Sequence, residues 1–180
     1  MVNNVGIGGS LRTNSHSMQA LQLAADRVEA AGATAKILDL RDMALPFCDG
    51  GDGYPDNPDV AILQSTVKQA DGLILSTPEY HGNVSGVIKN ALDLMSFDEL
   101  SGKVVGVISV LGGQPNSNAL NELRLIMRWV HAWVIPEQIA IGRAWQAFGS
   151  DGTLKDEQLA KRFDQFAQSL VANTQKLTGR

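Results

Sequence analysis

Apolar residues along this 180-residue chain fall into two alternating patterns. Short, nearly unbroken apolar runs read as strands buried on both faces. They are Val2 to Ile7, Ala33 to Leu40, Leu73 to Leu75, Lys103 to Val110, and Trp133 to Ile135 continued by Ile139 to Ile141 beyond Pro136. Between them, apolar side chains recur every three or four positions, as one helix face requires: Met18, Leu21, Ala25 and Val28; Val60, Leu63, Val67 and Ala70; Val84, Val87, Ile88, Ala91, Leu92 and Met95; Ala119, Leu123, Ile126 and Val130. A last helix with Leu159, Phe163, Phe166 and Leu170 on its buried face follows a turn at Asp151 and Gly152. Strand and helix alternate five times with no linker or repeat. That alternation predicts a doubly wound parallel sheet with helices on both faces.

In such a sheet ligands collect at the carboxyl ends of the strands, so the turns there carry the candidate chemistry. The first strand breaks into Gly8, Gly9, Ser10, Leu11 and Arg12 before a helix, an arrangement that offers free N–H groups to an anion. Ser10, Thr13, Ser15 and Ser17 add hydroxyls, Asn14 an amide, and Arg12 a forked cation that matches phosphate oxygens. So dense a donor set suits a terminal monophosphate better than a pyrophosphate. Gly6 and Gly8 match half of a dinucleotide fingerprint, but Leu11 stands where its third glycine belongs, and no lysine sits at Walker spacing. The third strand is expected to stop at Pro78 and turn through Glu79, Tyr80, His81 and Gly82. The fourth ends in Ser109 to Gln114, where glycines let backbone approach a flat ring. A planar heterocycle rich in donors and acceptors fits between these turns.

Composition narrows the choice. A net charge of −4 with scattered Lys and Arg leaves no footprint for nucleic acid. No stretch reaches membrane-spanning length, and the first residues lack a signal pattern, so a cytoplasmic location is expected. Cys48 is the sole cysteine, which excludes an internal disulfide or a CxxC couple; electrons would need a bound cofactor. Asp49, Gly50, Gly51, Asp52 and Gly53 lack the alternating ligands and closing glutamate of a calcium loop and read as a solvated turn. Residues 41 to 58 form a long loop that could cover one edge of a ligand. His16 and His131 are not at metal-ligand spacing, and no metal site is expected. Glu79 and His81 read as an acid–base pair or, more simply, as turn capping and a backbone-orienting contact. The apolar faces of the helices at 84–95 and 119–130 are wide enough for a partner subunit or a thick core.

Thr77 to Tyr80, His81, Gly86 and Lys89 to Asp93 resemble the signature of the flavodoxin-like NAD(P)H-dependent FMN reductases, TPEYN followed by G and KNALD, with His81 in place of the usual asparagine. The LPF at Leu45 to Phe47 and the loop Gly9 to Arg12 extend the resemblance to about residue 141. It implies a flavodoxin-like three-layer αβα sandwich, a five-stranded parallel sheet in the order 2-1-3-4-5, formed by residues 1–180 as one FMN-binding domain. FMN would be held by Ser10, Arg12, Asn14, Ser15 and Ser17 around its phosphate and by Pro78, Glu79, Tyr80, His81 and Gly82 around its ring, with Ser109 and Gly113 beside the flavin. NADPH or NADH would supply hydride to the flavin, which passes electrons to free FMN, a quinone or a similar acceptor, so no side chain is needed as a catalyst. The resemblance also favours a homodimer or homotetramer. Tyr80 could stack on the ring or face a subunit boundary. The rival is a flavodoxin-type electron carrier that binds FMN without using nicotinamide; such carriers tend to be more acidic and to flank the ring with tryptophan. No pocket for a 2′-phosphate can be picked out, so NADPH and NADH are not distinguished.

Overall fold

The structure is a computed structural model, and it describes residues 1–51, 54–149 and 152–180. Asp52, Gly53 and Asp151, which belong to two of the expected turns, lie outside the described residues. Five parallel strands run in the order β2-β1-β3-β5-β6, with β1 Asn3–Gly8, β2 Thr34–Leu38, β3 Gly72–Tyr80, β5 Val104–Val110 and β6 Trp133–Ile141. This is the expected flavodoxin-like order with one addition. A two-residue strand, β4 Asn83–Val84, folds back antiparallel on the end of β3, pairing Glu79 with Val84 and Tyr80 with Asn83.

The strands alternate their side chains between two helical layers. Val5, Ile7, Leu73, Leu75, Val105 and Val107 face α2 (Pro58–Gln69), α3 (Gly86–Asp93), α4 (Phe97–Leu100) and α5 (Asn118–Trp129). Ile74, Val104 and Ile108 face α1 (His16–Ala30) and α7 (Glu157–Thr178), where Phe163 and Phe166 are fully buried. Both faces of the central strands are covered, which is why β3 and β5 read as continuous apolar runs.

Three boundaries differ from the sequence expectation. β3 does not stop at Pro78 but continues to Tyr80, with Pro78 in register with Val110. The Ser76 carbonyl accepts from Gly9 N–H at 2.7 Å, so Ser76, and Pro78 two residues on, turn their backbone toward β1. β1 has ended by then, and a missing N–H breaks no ladder bond. The expected helix from Val84 begins instead at Gly86, because Ser85 caps it, its Oγ accepting from Ile88 N–H at 3.2 Å. Val84 therefore belongs to β4, and Met95 lies past the end of α3 yet stays buried.

The interruption foreseen at Pro136 appears as a bulge. Val105 pairs with Val134 and Val107 with Gln138, leaving residues 135–137 opposite Gly106. Arg124 of α5 satisfies the loosened backbone, donating to the carbonyls of Ile135 at 2.8 Å and Pro136 at 3.1 Å and to Gln138 Oε1 at 2.7 Å. Burial of that guanidinium pushes its pKa below the ordinary arginine value.

Candidate nucleotide-binding site

Four turns meet at the carboxyl edge of the sheet around a cavity of about 270 Å³ lined by Ser10, Arg12, Ser15, His16, Ser17, Pro78, Glu79, Tyr80, Val110, Leu111, Gly112, Ala144 and Trp145. The cavity opens between β1 and β3, whose following helices α1 and α3 lie on opposite faces of the sheet, the switch point at which doubly wound folds bind ligands.

The first wall is polar and prearranged. Ser15 is the N-cap of α1, its Oγ accepting from Met18 N–H at 3.3 Å and lying 2.8 Å from the Ser17 hydroxyl. Ser10, Ser15 and Ser17 are all buried, and the free N–H groups of the first helical turn lie beside them. Ser10 Oγ accepts from Arg12 N–H at 3.3 Å, while the Arg12 side chain is exposed at the rim. Buried hydroxyls, helix-start amides and one cation form an anion cradle.

That wall is tied to the next one. Ser85 Oγ donates to the Gly9 carbonyl at 2.5 Å, and Ser76 Oγ donates to the Ser17 carbonyl at 2.8 Å. A Cβ on Gly9 would come within 2.7 Å of Ser85 Oγ and 2.9 Å of Ile88 Cβ, so only glycine lets the two turns touch. From the β2 side, Arg41 donates to the Thr13 carbonyl at 3.2 Å and pairs with Asp39. The hydrogen bonds from Arg41 hold the Asp39 carboxyl below its ordinary pKa.

The second wall carries Pro78, Glu79 and Tyr80. Glu79 Oε1 accepts from Asn116 Nδ2 at 2.9 Å, bridging to the turn after β5, so Glu79 does not cap its own turn. Its other oxygen, Oε2, is buried and has no partner, on a residue that lines the cavity. His81 and Gly82 both have positive φ, 52° and 76°, and form the two-residue turn of the β3–β4 hairpin, as a type I′ turn requires. The His81 imidazole has no hydrogen bond among the described residues and does not pair with Glu79.

The third and fourth walls are apolar. Leu111 N–H donates to the Ile141 carbonyl at 2.9 Å, and the N–H groups of Arg143 and Ala144 donate back to Gly113 at 2.8 Å and Leu111 at 3.1 Å. This clamp joins the turn after β5 to α6 (Ala144–Ala147) and presents Trp145, 65% exposed, on the same cavity as Tyr80, 48% exposed. The His16 ring stacks parallel on Phe148, centroids 5.8 Å apart, at the start of α1.

Of the residues singled out from the sequence, Ser10, Arg12, Ser15, Ser17, Pro78, Glu79 and Tyr80 share the cavity wall. Asn14 lies instead in a shallow depression with Gln19, Asp39 and Arg41. His81 and Gly82 occupy the hairpin tip, Ser109 is buried within β5 with its hydroxyl unpaired, and Gly113 sits in the clamp; none of these lines the cavity. Val110, Leu111 and Gly112 of the expected turn after the fourth parallel strand line it, and His16, Ala144 and Trp145 line it without having been read as site residues. Trp145 carried a signal: it follows the last strand, whose end must also lie on this edge. Asp49 forms a local turn, accepting from Gly51 N–H at 2.9 Å and Tyr54 OH at 2.8 Å. Among the described residues no cluster of three or more His, Cys, Asp or Glu could hold a metal, and no helix is long and apolar enough to cross a membrane.

A doubly wound sheet with an anion cradle and a flat, aromatic-edged slot at its switch point defines a flavodoxin-like mononucleotide-binding protein. Residues 2–146 match the family described as NADPH-dependent FMN reductase. The chain is 32% identical over 170 residues to the FMN-dependent NADPH-azoreductase of Staphylococcus aureus, covering 91% of this chain and 90% of that protein. It is also 32% identical over 171 residues to the NADPH-dependent FMN reductase ArsH of Shigella flexneri, covering 92% of this chain but 66% of that longer protein. In fold it is similar to FerB, a flavoenzyme NAD(P)H:(acceptor) oxidoreductase from Paracoccus denitrificans, with a TM-score of 0.80 over 98% of both chains at 23% identity. The chain belongs to the NADPH-dependent FMN reductase family, whose members use FMN and NAD(P)H. It is a flavin-dependent oxidoreductase.

Proposed function

We propose that residues 1–180 form one FMN-binding domain that accepts hydride from a reduced nicotinamide and delivers electrons to free FMN, a quinone or a similar small acceptor. The observation that carries this reading is the two-sided cavity: three buried serine hydroxyls and Arg12 on one wall, and Tyr80, Leu111 and Trp145 on the others. Bound FMN supplies the redox chemistry, a two-electron exchange at its ring. Ser10, Ser15, Ser17 and the α1 start would hold its phosphate, with Arg12 as the counter-charge. Glu79 would offer a carboxylate acceptor to a ring N–H, and Pro78 and Leu111 would shield the ring from water. Tyr80 and Trp145, both partly exposed, would border the approach of the hydride donor. No general acid or base is assigned.

Anaerobic NADPH added to the FMN-loaded protein tests the reading. Bleaching of the flavin absorbance with matching NADPH oxidation supports it; flavin that binds but stays oxidised would identify an electron carrier of the flavodoxin type instead. Arg12→Ala is expected to weaken FMN binding by about 2 kcal/mol, roughly thirtyfold in Kd, while leaving the melting temperature of the flavin-free protein unchanged. The quenching of tryptophan fluorescence on FMN titration reads it. Wild-type affinity in the variant would remove Arg12 from the phosphate site.

His81→Asn is expected to keep FMN and turnover and to change stability by no more than about 0.5 kcal/mol. Its φ of 52° is a conformation asparagine adopts readily. Loss of turnover with FMN still bound would make the imidazole part of the chemistry.

Assembly is the remaining part of the reading. Trp129, Leu125 and Phe97 stand exposed around a groove between α3, α4 and α5, bordered by the Lys89–Asp93 pair and Arg128. An apolar centre with both charge signs at its rim is self-complementary under two-fold symmetry, so a homodimer through this face is expected. A monomeric mass by light scattering at micromolar concentration would rule it out. A cytoplasmic location accords with a chain whose only cysteine has no disulfide partner; fractionation into another compartment would contradict it.

A further inference from the structure

Asn116 is tied at both ends of its side-chain amide. It stands in the turn between β5 and α5, just before Ser117, the N-cap of α5 that makes no side-chain cap bond of its own. Asn116 Oδ1 accepts from Asn118 N–H at 3.0 Å, and Asn116 Nδ2 donates to Glu79 Oε1 at 2.9 Å. The first bond requires the amide oxygen on the helix side, which leaves the NH2 for the carboxylate. The amide therefore cannot turn over without losing both bonds.

Glu79 is the group being held. It lies one residue past the last paired position of β3 and β5, in the short ladder with β4. Among the described residues no ion pair reaches its carboxylate. The Ser109 hydroxyl on the neighbouring strand is also buried and unpaired, yet it makes no bond to Glu79. A buried carboxylate oxygen without a donor is costly, and an N–H brought by a ligand removes that cost. With Oε1 committed to Asn116, the demand falls on Oε2 alone, on a residue of the cavity wall.

The ring of oxidised flavin carries a single N–H, the imide between two carbonyl groups. A carboxylate attracts that N–H but is repelled by the carbonyl oxygens on either side of it. It distinguishes the three only if it is kept from swinging, and a carboxylate free to rotate could take its donor from water instead.

We propose that Asn116 is a positioning residue that makes the cavity selective for a flat heterocycle with an imide N–H. By holding Oε1 it presents Glu79 as one fixed acceptor, so a ring alkylated at the imide nitrogen leaves a buried oxygen unpaired and is rejected. The inference rests on the reading of the cavity as the flavin site.

The test uses the full chain and the variants Asn116→Ser and Asn116→Ala, each titrated at equilibrium with FMN, 3-methyl-FMN and riboflavin. Serine keeps an oxygen for the Asn118 N–H but is too short to reach Glu79, whereas alanine gives up both bonds and should melt lower. The wild type should bind FMN about tenfold more tightly than 3-methyl-FMN, and both variants should narrow that ratio to about two or less. The ratio of FMN to riboflavin, which reads the phosphate cradle, should be the same in all three proteins. Equal binding of FMN and 3-methyl-FMN by the wild type, or the wild-type ratio in either variant, would overturn the assignment. So would a fall of both ratios together, since Asn116 would then support the cavity as a whole rather than one acceptor. A wild type that binds FMN and oxidises NADPH with it, yet ignores the 3-methyl group, sinks this inference and leaves the functional reading standing. Failure of the wild type to bind any of the three flavins brings down the reading of the cavity, and this inference with it.

Discussion

Phe166→Ala is expected to destabilise the protein by about 3–5 kcal/mol, the usual cost of emptying a fully buried aromatic site. Phe166 is 0% exposed and fastens α7 to the middle of the sheet, its ring lying over Gly106 of β5. On that strand Val104 and Ile108 face the same layer, so the position between them would ordinarily hold a side chain. A Cβ at Gly106 would stand 2.3 Å from the ring's Cζ and 2.7 Å from Cε2, and the ring occupies that space instead. The pairing gives a sharper test than the single variant. Gly106→Ala alone should overpack the contact and cost about 1–3 kcal/mol, but in the Phe166→Ala background the new methyl enters the space the ring has left. The double variant should therefore be more stable than the sum of the two losses predicts. Urea unfolding of the four proteins measures it, and strict additivity would mean that the two residues do not compete for one volume.

The Phe166 contact also shows where a sequence is readable and where it is not. Helical spacing placed Phe163, Phe166 and Leu170 on the buried face of α7, because one amphipathic face is a local property of the chain. Nothing near Gly106 in the strand read from Lys103 to Val110 pointed to its partner, since the volume it vacates is filled by a residue sixty positions away. The site divides in the same manner. Ser10, Ser15 and Ser17 could be read directly, as a strand, a glycine turn and a helix cap follow one another without interruption. Pro78 misled, because whether a proline ends a strand depends on which neighbour its missing N–H would have faced. The hairpin that includes β4 was hidden because His81 replaces the residue that makes such a turn recognisable. The Ser96 to Glu99 capping box of α4 was legible in principle. Trp145 was missed for a different reason. Its place after the last strand put it on this edge, but it reaches the cavity through the clamp between residues 111–113 and 141–144, a backbone arrangement that no side-chain pattern announces.

Gly142→Ala acts on that clamp and is expected to cost roughly 3 kcal/mol of stability, at the upper end for an inserted methyl group, together with most of the FMN affinity. The conformation is not the obstacle, since Gly142 is not among the positive-φ residues. The obstacle is space: a Cβ there would lie 2.3 Å from Pro115 N, 2.4 Å from Pro115 Cδ and 2.8 Å from the Gly113 carbonyl oxygen. These are backbone atoms and a ring fused to the backbone, so no rotamer change relieves the overlap. The 113–115 segment has to move, and the bonds from Arg143 N–H to Gly113 and from Ala144 N–H to Leu111 stretch or break with it. Leu111 and Gly112 then leave the cavity wall. The damage therefore differs in kind from that of Arg12→Ala, which removes one contact and spares the fold. Gly142→Ala should lower the melting temperature, weaken FMN, and impair NADPH and NADH alike, because the wall rather than a single phosphate contact is lost. Wild-type melting with intact FMN affinity in this variant would mean that the turn after β5 yields without consequence, and that the cavity's shape does not depend on the contact between Gly142 and Pro115.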